Sequence, residues 1–491
     1  MNGKSQSDRI IFGLKIKQLR QEQKMSFANL SEQTGLSVSY LNEIEKGKKF
    51  PKEDKIHTLS KAFGVSYEHL ISPELNKGLA PVAELLQSNF LNELPLDLFG
   101  IDLAKIIEII ANAPIRVSAF ISTLLELSRN YALKEENFYF GALRAFLELH
   151  NNYFEEIENQ VERFCKLYDV PNTRPIDIDL LKNLLESRFN YEIVEDGLSN
   201  YPELQDLRSV YLPKKKQLLL NNSLIDLQKS FQLGKELGFQ FLGLKERAKT
   251  SSILKSLVFE EVLNHSKAIY FSVALHIPKE EILSDLKKLF NKTKWDGDAF
   301  VSIMHKYKVT PEMFYHRLTN LLPEYFDMKK LFFLRFSHTL PLDIFEVDKE
   351  LHLNHRHRPH STGLEEHYCR RWISISLLQE LKKHPEEDLL VGIQRSKYYG
   401  TDDEYLCLTL ARPSYPKPEQ NVSVTLGLLI NDEVKDKFNF LEDPSIPLRE
   451  VNNTCERCPV ENCTERAAAP RVIQKKEELN KIQKRLEELS N

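Results

Sequence analysis

A single glycine between two short helical patterns constrains the N-terminal part of this chain more tightly than any other feature. Leu30 and Leu36 flank the turn at Gly35, and Leu41 and Ile44 follow at a spacing that puts both on one helix face. Ser31, four residues before Gly35, is small where two helices must approach closely. The Ser37 hydroxyl can accept from an otherwise orphan backbone N–H, so the second helix begins there. These spacings predict the two helices and tight turn of a DNA-binding helix-turn-helix, rather than a plain αα-hairpin whose second helix is only solvated. With Leu41 and Ile44 turned inward, Ser37, Val38, Ser39, Asn42, Glu43 and Lys46 face outward, and Tyr40 and Lys48 complete the candidate DNA-contacting set. Lys46, Lys48 and Lys49 sit at and beyond the helix end, where they can compensate its C-terminus and also meet phosphates.

Charge agrees once it is localised. The whole chain carries −4, yet residues 1–73 hold 12 Lys or Arg against 8 Asp or Glu, which is +4 and leaves −8 for the rest. The basic part lies where phosphates would be met. The run Phe27–Pro51, with Glu45, Gly47 and Pro51, also resembles the XRE (Cro/cI-type) family over roughly residues 9–73. That family often places a phosphate-touching glutamine where this chain has Phe27, so the contact is not carried over.

At 491 residues and 42% hydrophobic content the chain can build three or four domains. No apolar run approaches membrane-spanning length, and MNGKSQSDR has no apolar signal-peptide core; a cytoplasmic protein is expected. After five N-terminal helices (residues 1–75) comes a hinge at 73–80, then a helical region over 82–168. There Ile101–Ile110 and Val117–Leu127 are apolar on more than one face and need burial, either against the later domain or against a second subunit; the second suits a homodimer or higher homo-oligomer reading two half-sites.

Residues 169–330 change character. Tyr191–Val194, Arg208–Leu212 and Gln217–Leu220 read as strands, the last two forming a hairpin, and a helix follows from about Leu224 to Leu242. That helix resembles the zinc-binding helix of the ImmA/IrrE peptidases, in which H-E-x-x-H supplies two ligands and a catalytic glutamate. Here those five positions read Lys235, Glu236, Leu237, Gly238 and Phe239. Neither an ammonium nor a phenyl ring binds zinc. Ala268–Pro278 resembles the family's next helix, and His265, Ser266 and Lys267 before it include no acidic ligand. The resemblance therefore implies the fold kept and the chemistry lost, with Glu236 a surface or ion-paired residue and no catalytic residues.

Beyond residue 331 the pattern is mixed α/β. Lys330–Phe336 reads as a buried strand, Arg371–Lys383 as a helix, and Leu389–Arg395, Tyr405–Ala411 and Val422–Ile430 as strands. Lys475–Leu489 is a charged helix with Leu479, Ile482, Leu486 and Leu489 on one stripe. His352, His355, His357 and His360 alternate as a chelating strand would, though a solvated loop or edge strand explains them as simply.

Cys455, Cys458 and Cys463 form C-x2-C-x4-C, a spacing that turns thiolates toward one metal ion or cluster. A fourth ligand is expected among Cys369, Cys407 and Cys165; the last two sit in apolar elements, so Cys369, after a polar loop, is the choice. His316–Thr319, Phe332–Phe336, Cys369–Trp372 and Cys455–Pro470 together resemble the short-chain fatty acyl-CoA transcriptional regulators across nearly the whole chain. The resemblance implies a [4Fe–4S] cluster on Cys369, Cys455, Cys458 and Cys463, and an acyl-CoA ligand in the C-terminal part. Structural zinc on four cysteines has the same ligand count and stays open. Arg317 and Arg335, beside apolar runs, are candidate contacts to CoA phosphates, with Arg395 and Lys397 behind them.

The expected architecture is multidomain, mainly α with α+β parts: a helix-turn-helix bundle, a helical middle, a degenerate IrrE-like α+β domain (169–330) and a mixed α/β sensor domain with a cysteine site (331–491). The expected function is regulation of transcription by binding double-stranded operator DNA under acyl-CoA control, without enzymatic activity or membrane contact. A metallopeptidase acting on a repressor and an antitoxin-like DNA-binding module are the alternatives.

Overall fold

Serine caps and glycine stops set the N-terminal helices where the sequence places them. The computed structural model describes residues 6–72, 135–251, 258–353, 366–415, 417 and 419–490. The helical region expected over 82–134, with its dimerisation role, and His355, His357 and His360 lie outside these residues. The chain divides into two compact units, Met1–Ala142 with Leu257–Phe259, and Leu143–Ser256 with Glu260–Asn491. The boundaries expected at 168 and 330 both fall inside the second unit.

In the first unit, α1 (Gln6–Glu22), α2 (Phe27–Thr34), α3 (Val38–Glu45), α4 (Glu53–Phe63) and α5 (Tyr67–Ile71) form a bundle. Ser26, Ser37 and Ser66 each cap a helix by accepting from a backbone N–H three residues on. Gly35 and Gly64 end α2 and α4 at φ of 67° and 66°, where a side chain would be strained. Leu30, Leu41, Ile44 and Leu59 are fully buried in the core. From α1 the core contacts come from Phe12 and Ile16, while Ile11 and Leu14 are buried outside that cluster. Gly13 explains the helix's rotation, because a Cβ there would lie 2.3 Å from the Ile44 carbonyl oxygen on α3.

After α6 (Glu135–Leu149), the second unit opens with α7 (Glu155–Leu167), α8 (Ile178–Phe189) and β1 (Glu192–Val194). The hairpin β2 (Ser209–Leu212) and β3 (Gln217–Leu220) forms as expected, and the small sheet has the order β1-β3-β2. α9 (Asp226–Phe241) and α10 (Phe259–His276) pack over it, burying Leu233, Leu237, Phe271 and Leu275. Two glycines on α9 allow this closeness: a Cβ on Gly234 would lie 2.5 Å from Ser272 Oγ, and one on Gly238 3.0 Å from Phe271 Cβ.

α11 (Lys279–Phe290), α12 (Gly297–Lys306) and α13 (Pro311–Tyr325) lead to a second sheet. It is made of β4 (Leu331–Thr339), β5 (Ile344–His352), β6 (Leu390–Tyr398), β7 (Glu404–Pro413), β8 (Gln420–Leu429) and β9 (Leu448–Val451), in the order β5-β4-β8-β7-β6-β9. β5 was not expected as a strand; it is an edge, and it ends at His352. α14 (Ile373–Lys383) covers one face through Phe336, Trp372, Ile375 and Tyr405. α13 packs on the other, against β4 and β8. The chain then runs through α15 (Asp432–Lys437) to α16 (Arg471–Ser490), where Leu479, Ile482, Leu486 and Leu489 are all exposed.

A buried ion pair joins the helical layers. Arg317 on α13 is fully buried and donates to both oxygens of Glu158 on α7, at 2.5 and 3.0 Å, and to the Ile277 carbonyl at 2.9 Å. The Tyr270 hydroxyl donates to the same carboxylate at 2.7 Å. Burial alone would raise the Glu158 pKa, but the Arg317 guanidinium and the Tyr270 hydroxyl outweigh it and hold the carboxyl below its usual range. Arg317→Met should therefore destabilise the protein by about 3–5 kcal/mol in denaturant unfolding, and Glu158→Gln/Arg317→Met by less than the single change. A depressed folded pKa means the stabilisation is fully present above the ordinary carboxylate range and is lost as pH falls below it. The wild type should accordingly lose more stability on acidification than the double variant; parallel pH profiles would contradict this assignment.

Candidate functional site

Ser37, Val38 and Ser39 stand exposed at the start of α3, with Val38 46% exposed despite its apolar side chain. Asn42 is half-buried on the same helix. Glu43 is half-buried and bound by Lys49, whose ammonium lies 2.8 Å from the carboxylate, so the outer face carries no uncompensated acid there. Lys46 and Lys48 are exposed beyond the helix end. Tyr40 differs from its expected place: it is half-buried, and its ring packs against the bundle core. The reason is helical period, since it stands four residues before Ile44 and shares that side of α3.

The helix is held in position by three further contacts. Ser31 is more than small: its hydroxyl donates to the Leu36 carbonyl at 2.6 Å, closing the turn. Glu45, only 8% exposed, accepts two bonds from Arg20 at 2.6 and 2.9 Å. The same guanidinium lies 4.2 Å above the Phe27 ring, giving Phe27 a structural role.

In the second unit, α9 carries the degenerate peptidase positions. Glu236 is not at the surface; it is 1% exposed. Arg247 grips both its oxygens at 2.7 Å, and the Tyr191 hydroxyl donates to it at 3.1 Å. The guanidinium is itself sandwiched, 3.8 Å from the Phe239 ring centre and 4.3 Å from that of Tyr211. Burial would lower the Arg247 pKa, but Glu236 more than offsets it and the pKa is raised. A permanent cation thus sits beside the glutamate, packed on the ring that occupies the second ligand position. Lys235, at the first ligand position, is 2% exposed.

Lys235 opens onto a cavity of about 590 Å³ walled by α9, α10, α13 and the β4–β5 edge of the large sheet. Arg335 lines it, paired with Asp348 and, at 3.5 Å, with Glu312. The expected ligand role of Arg317 is corrected: its charge is spent on Glu158, and it has no exposed surface from which to reach a phosphate. Arg395 is likewise bound, to Glu404 at 2.5 Å and Glu442 at 3.1 Å. Arg208, Lys349 and Arg412 also reach the cavity, and the sequence pattern had not singled them out.

The cysteine loops come together at the far side of the sheet. A bridge pairs Tyr368 with Thr454, Cys369 N–H donates to the Asn453 carbonyl at 3.1 Å, and Cys455 N–H to the His367 carbonyl at 2.8 Å. Cys369, Cys455 and Cys458 are buried and Cys463 is half-buried. Burial pushes the Cys369 thiol up, and the neighbouring Cys455 and Cys458 act in the same direction. Arg466, from the motif that closes this region, donates to the carbonyls of Cys455 at 2.8 Å, Cys458 at 3.1 Å and Val460. The Ala467 N–H points at Cys455 Sγ, 3.3 Å away. Buried thiols with a backbone donor on sulfur suit a thiolate-bound group, although among the described residues no three His, Cys, Asp or Glu side chains converge around a single ion. Cys407 lies in β7 within the core, its thiol pushed up to about 12 by burial. Cys165 is half-buried against the α7–α10 core.

Two families match. Residues 13–74 match a helix-turn-helix domain, and residues 197–319 an IrrE N-terminal-like domain of the peptidase type. No curated protein matches the chain. Among solved structures, a Mycobacterium tuberculosis transcriptional regulator is 20% identical with a TM-score of 0.46, over 66% of this chain and 92% of its own. The apo form of the competence regulator ComR from Streptococcus vestibularis is 15% identical with a TM-score of 0.13, over 64% of this chain and 97% of its own. Scores below 0.5 do not establish a shared overall fold. The helix-turn-helix domain supports DNA-binding transcription regulation. Among the described residues no helix is long and apolar enough to cross a membrane.

The α3 cap generates a direct test. Ser37→Ala should cost about 1 kcal/mol at the start of the helix, read as faster hydrogen exchange of the Tyr40 amide that Ser37 now holds at 3.2 Å. Unchanged exchange there would show that the cap carries no stability.

Proposed function

We propose that this protein is a transcription regulator that reads operator DNA through α3 as a homodimer and is controlled by a short-chain acyl-CoA. The observation that carries the DNA-binding part is the presentation of α3. Ser37, Val38 and Ser39 are exposed at its start, while the Ser37 cap, the Ser31 bond and the Arg20–Glu45 pair hold the helix in place. Ser39 and Asn42 are the base-reading candidates, and Lys46 and Lys48 the phosphate contacts. A single helix-turn-helix covers few base pairs, so two copies on half-sites roughly 34 Å apart complete the reading.

The acyl-CoA part rests on the motif resemblance. Its support from the fold is that the motifs adjoin: His316–Thr319 lies on α13, which packs on the Phe332–Phe336 strand, and Trp372 packs on that strand's other face. A ligand that preferred one state tenfold would shift the DNA-competent population by about 1.4 kcal/mol. Cys369, Cys455, Cys458 and Cys463 would hold a [4Fe–4S] cluster, with zinc the alternative; the group would cross-link the two loops and, as a cluster, respond to oxidants. The IrrE-like match keeps a peptidase as the second reading. Against it stand Lys235 and Phe239 at the ligand positions and Arg247 on the would-be catalytic carboxylate. Zinc-dependent cleavage of a repressor by the purified protein would restore it.

Two outcomes are expected. Asn42→Ala/Glu43→Ala should weaken operator binding more than binding to random DNA, whereas Lys46→Ala and Lys48→Ala should weaken both and each reduce the log K–log salt slope by about 0.9. Equal loss on both DNAs for the first pair would remove base reading from α3. Protein purified without oxygen should contain iron and sulfide that Cys369→Ser loses and Cys407→Ser keeps; stoichiometric zinc without iron would establish the alternative.

A further inference from the structure

The chain kept a peptidase-type pocket and changed the charge of its wall. Where a zinc ligand would stand, Lys235 projects from α9 into the cavity of about 590 Å³. The residue is 2% exposed, and among the described residues its side chain makes no ion pair or hydrogen bond. Half-buried Arg208 and exposed Lys349 line the same cavity near Glu312, and among the described residues neither forms an ion pair. The wall carries six Lys or Arg side chains against four Asp or Glu. The carboxylates are largely committed: Glu312 to Arg412 at 2.7 Å, Asp348 to Arg335, and Asp206 to Lys417 at 2.8 Å.

A β-bulge makes this arrangement possible. Arg335 pairs with Lys349 and Phe336 with Val347, so Asp348 is left over in the β5 ladder. Strict alternation would put Asp348 and Lys349 on opposite faces; the bulge lets both line the cavity. Other buried polar atoms on this wall are also unpartnered, namely Gln228 Oε1, His265 Nδ1 and one carboxylate oxygen, Glu312 Oε2. Opposite them Phe231, Ile269, Val273 and Met313 form an apolar wall. A buried ammonium with no ion-pair partner, as at Lys235, is costly unless an anion joins it.

We infer that this cavity binds an anion, a phosphate or carboxylate carried on an apolar body, with Lys235, Arg208 and Lys349 holding the charged head and Phe231, Ile269, Val273 and Met313 the body. Lys235 is lowered to about 8 by burial that outweighs nearby Glu236, and a bound anion would raise it. His265 and His316, depressed by burial and by the nearby lysines, are neutral there and can donate or accept as the ligand requires. The inference does not depend on the ligand being an acyl-CoA.

The test is titration calorimetry on the full-length protein with inorganic phosphate, butyrate, butyl phosphate and acetyl-CoA, using wild type, Lys235→Met and Lys349→Met. Lys235→Met removes a buried unpaired charge, so it should fold at least as well as wild type; Lys349→Met is an independent variant on the edge strand. Butyl phosphate or butyrate should bind wild type and weaken at least tenfold in both variants. A preference for one of the two identifies the head group, and inorganic phosphate binding equally well would mean the apolar wall is not used, overturning that part. No binding by any of the three small probes, or binding unchanged in both variants, overturns the assignment. Acetyl-CoA binding unaffected by either variant would leave the acyl-CoA reading standing and place its ligand elsewhere. Small-anion binding without acetyl-CoA binding would keep this cavity and count against that reading.

Discussion

A carboxylate taken out of water must be met by a cation, and this protein answers that requirement at each place where its function depends on geometry. Glu45 with Arg20 fixes the end of α3. Glu158 with Arg317 joins α7 to α13 across the second unit. Glu236 with Arg247 fills the heart of the degenerate peptidase site. Glu312, held by Arg412 and Arg335, ties the start of α13 to the large sheet, and its carboxyl is kept far below the usual range despite burial. Three of the four are bidentate arginine pairs, which fix orientation as well as charge. Breaking one partner strands the other in a dry interior, so each pair acts as a geometric constraint more than as a source of stability.

At the IrrE-like helix, side-chain cations stand where an H-E-x-x-H motif would bring a metal. The metal that an H-E-x-x-H helix holds is a positive charge beside a glutamate. Here a guanidinium supplies it from the side, stacked on Phe239, the residue that displaced a ligand. A second positive charge, Lys235, is left facing the cavity with no acid of its own. Neither an ammonium nor a phenyl ring is a zinc ligand, and the lysine places a positive charge on the cavity wall. At the cysteine loops an arginine serves the backbone instead, Arg466 donating to the carbonyls of Cys455 and Cys458.

Much of this was legible in the residues. Ser37 as a cap, Gly35 as a stop and the hairpin at 213–216 all follow from local signals: a short side chain that can bond its own backbone, a residue without Cβ and an alternating apolar run. Other features had no local signal. Tyr40 looks outward on composition, yet its period leaves it half-buried against the core. Arg317 looks like a free arginine beside apolar residues, and only its distance to Glu158, 159 positions away, shows that it is spent. β5 was hidden by its charged, alternating sequence, which an edge strand tolerates because one side meets solvent.

The sequence by itself determined the periodicity, the caps, the turn chemistry and the identities at the metal-ligand positions, because each depends on neighbours within a few residues. It therefore settled that the N-terminal domain is a helix-turn-helix and that the IrrE-like helix lacks its histidines. Tertiary structure alone decided which charges meet. Whether Glu236 is solvated or clamped, whether an arginine is free or committed, and whether Asp348 and Lys349 share a face depend on chain segments that are distant in sequence and on one extra residue in a ladder. Electrostatic environment is set by contacts through space, and no local pattern encodes it.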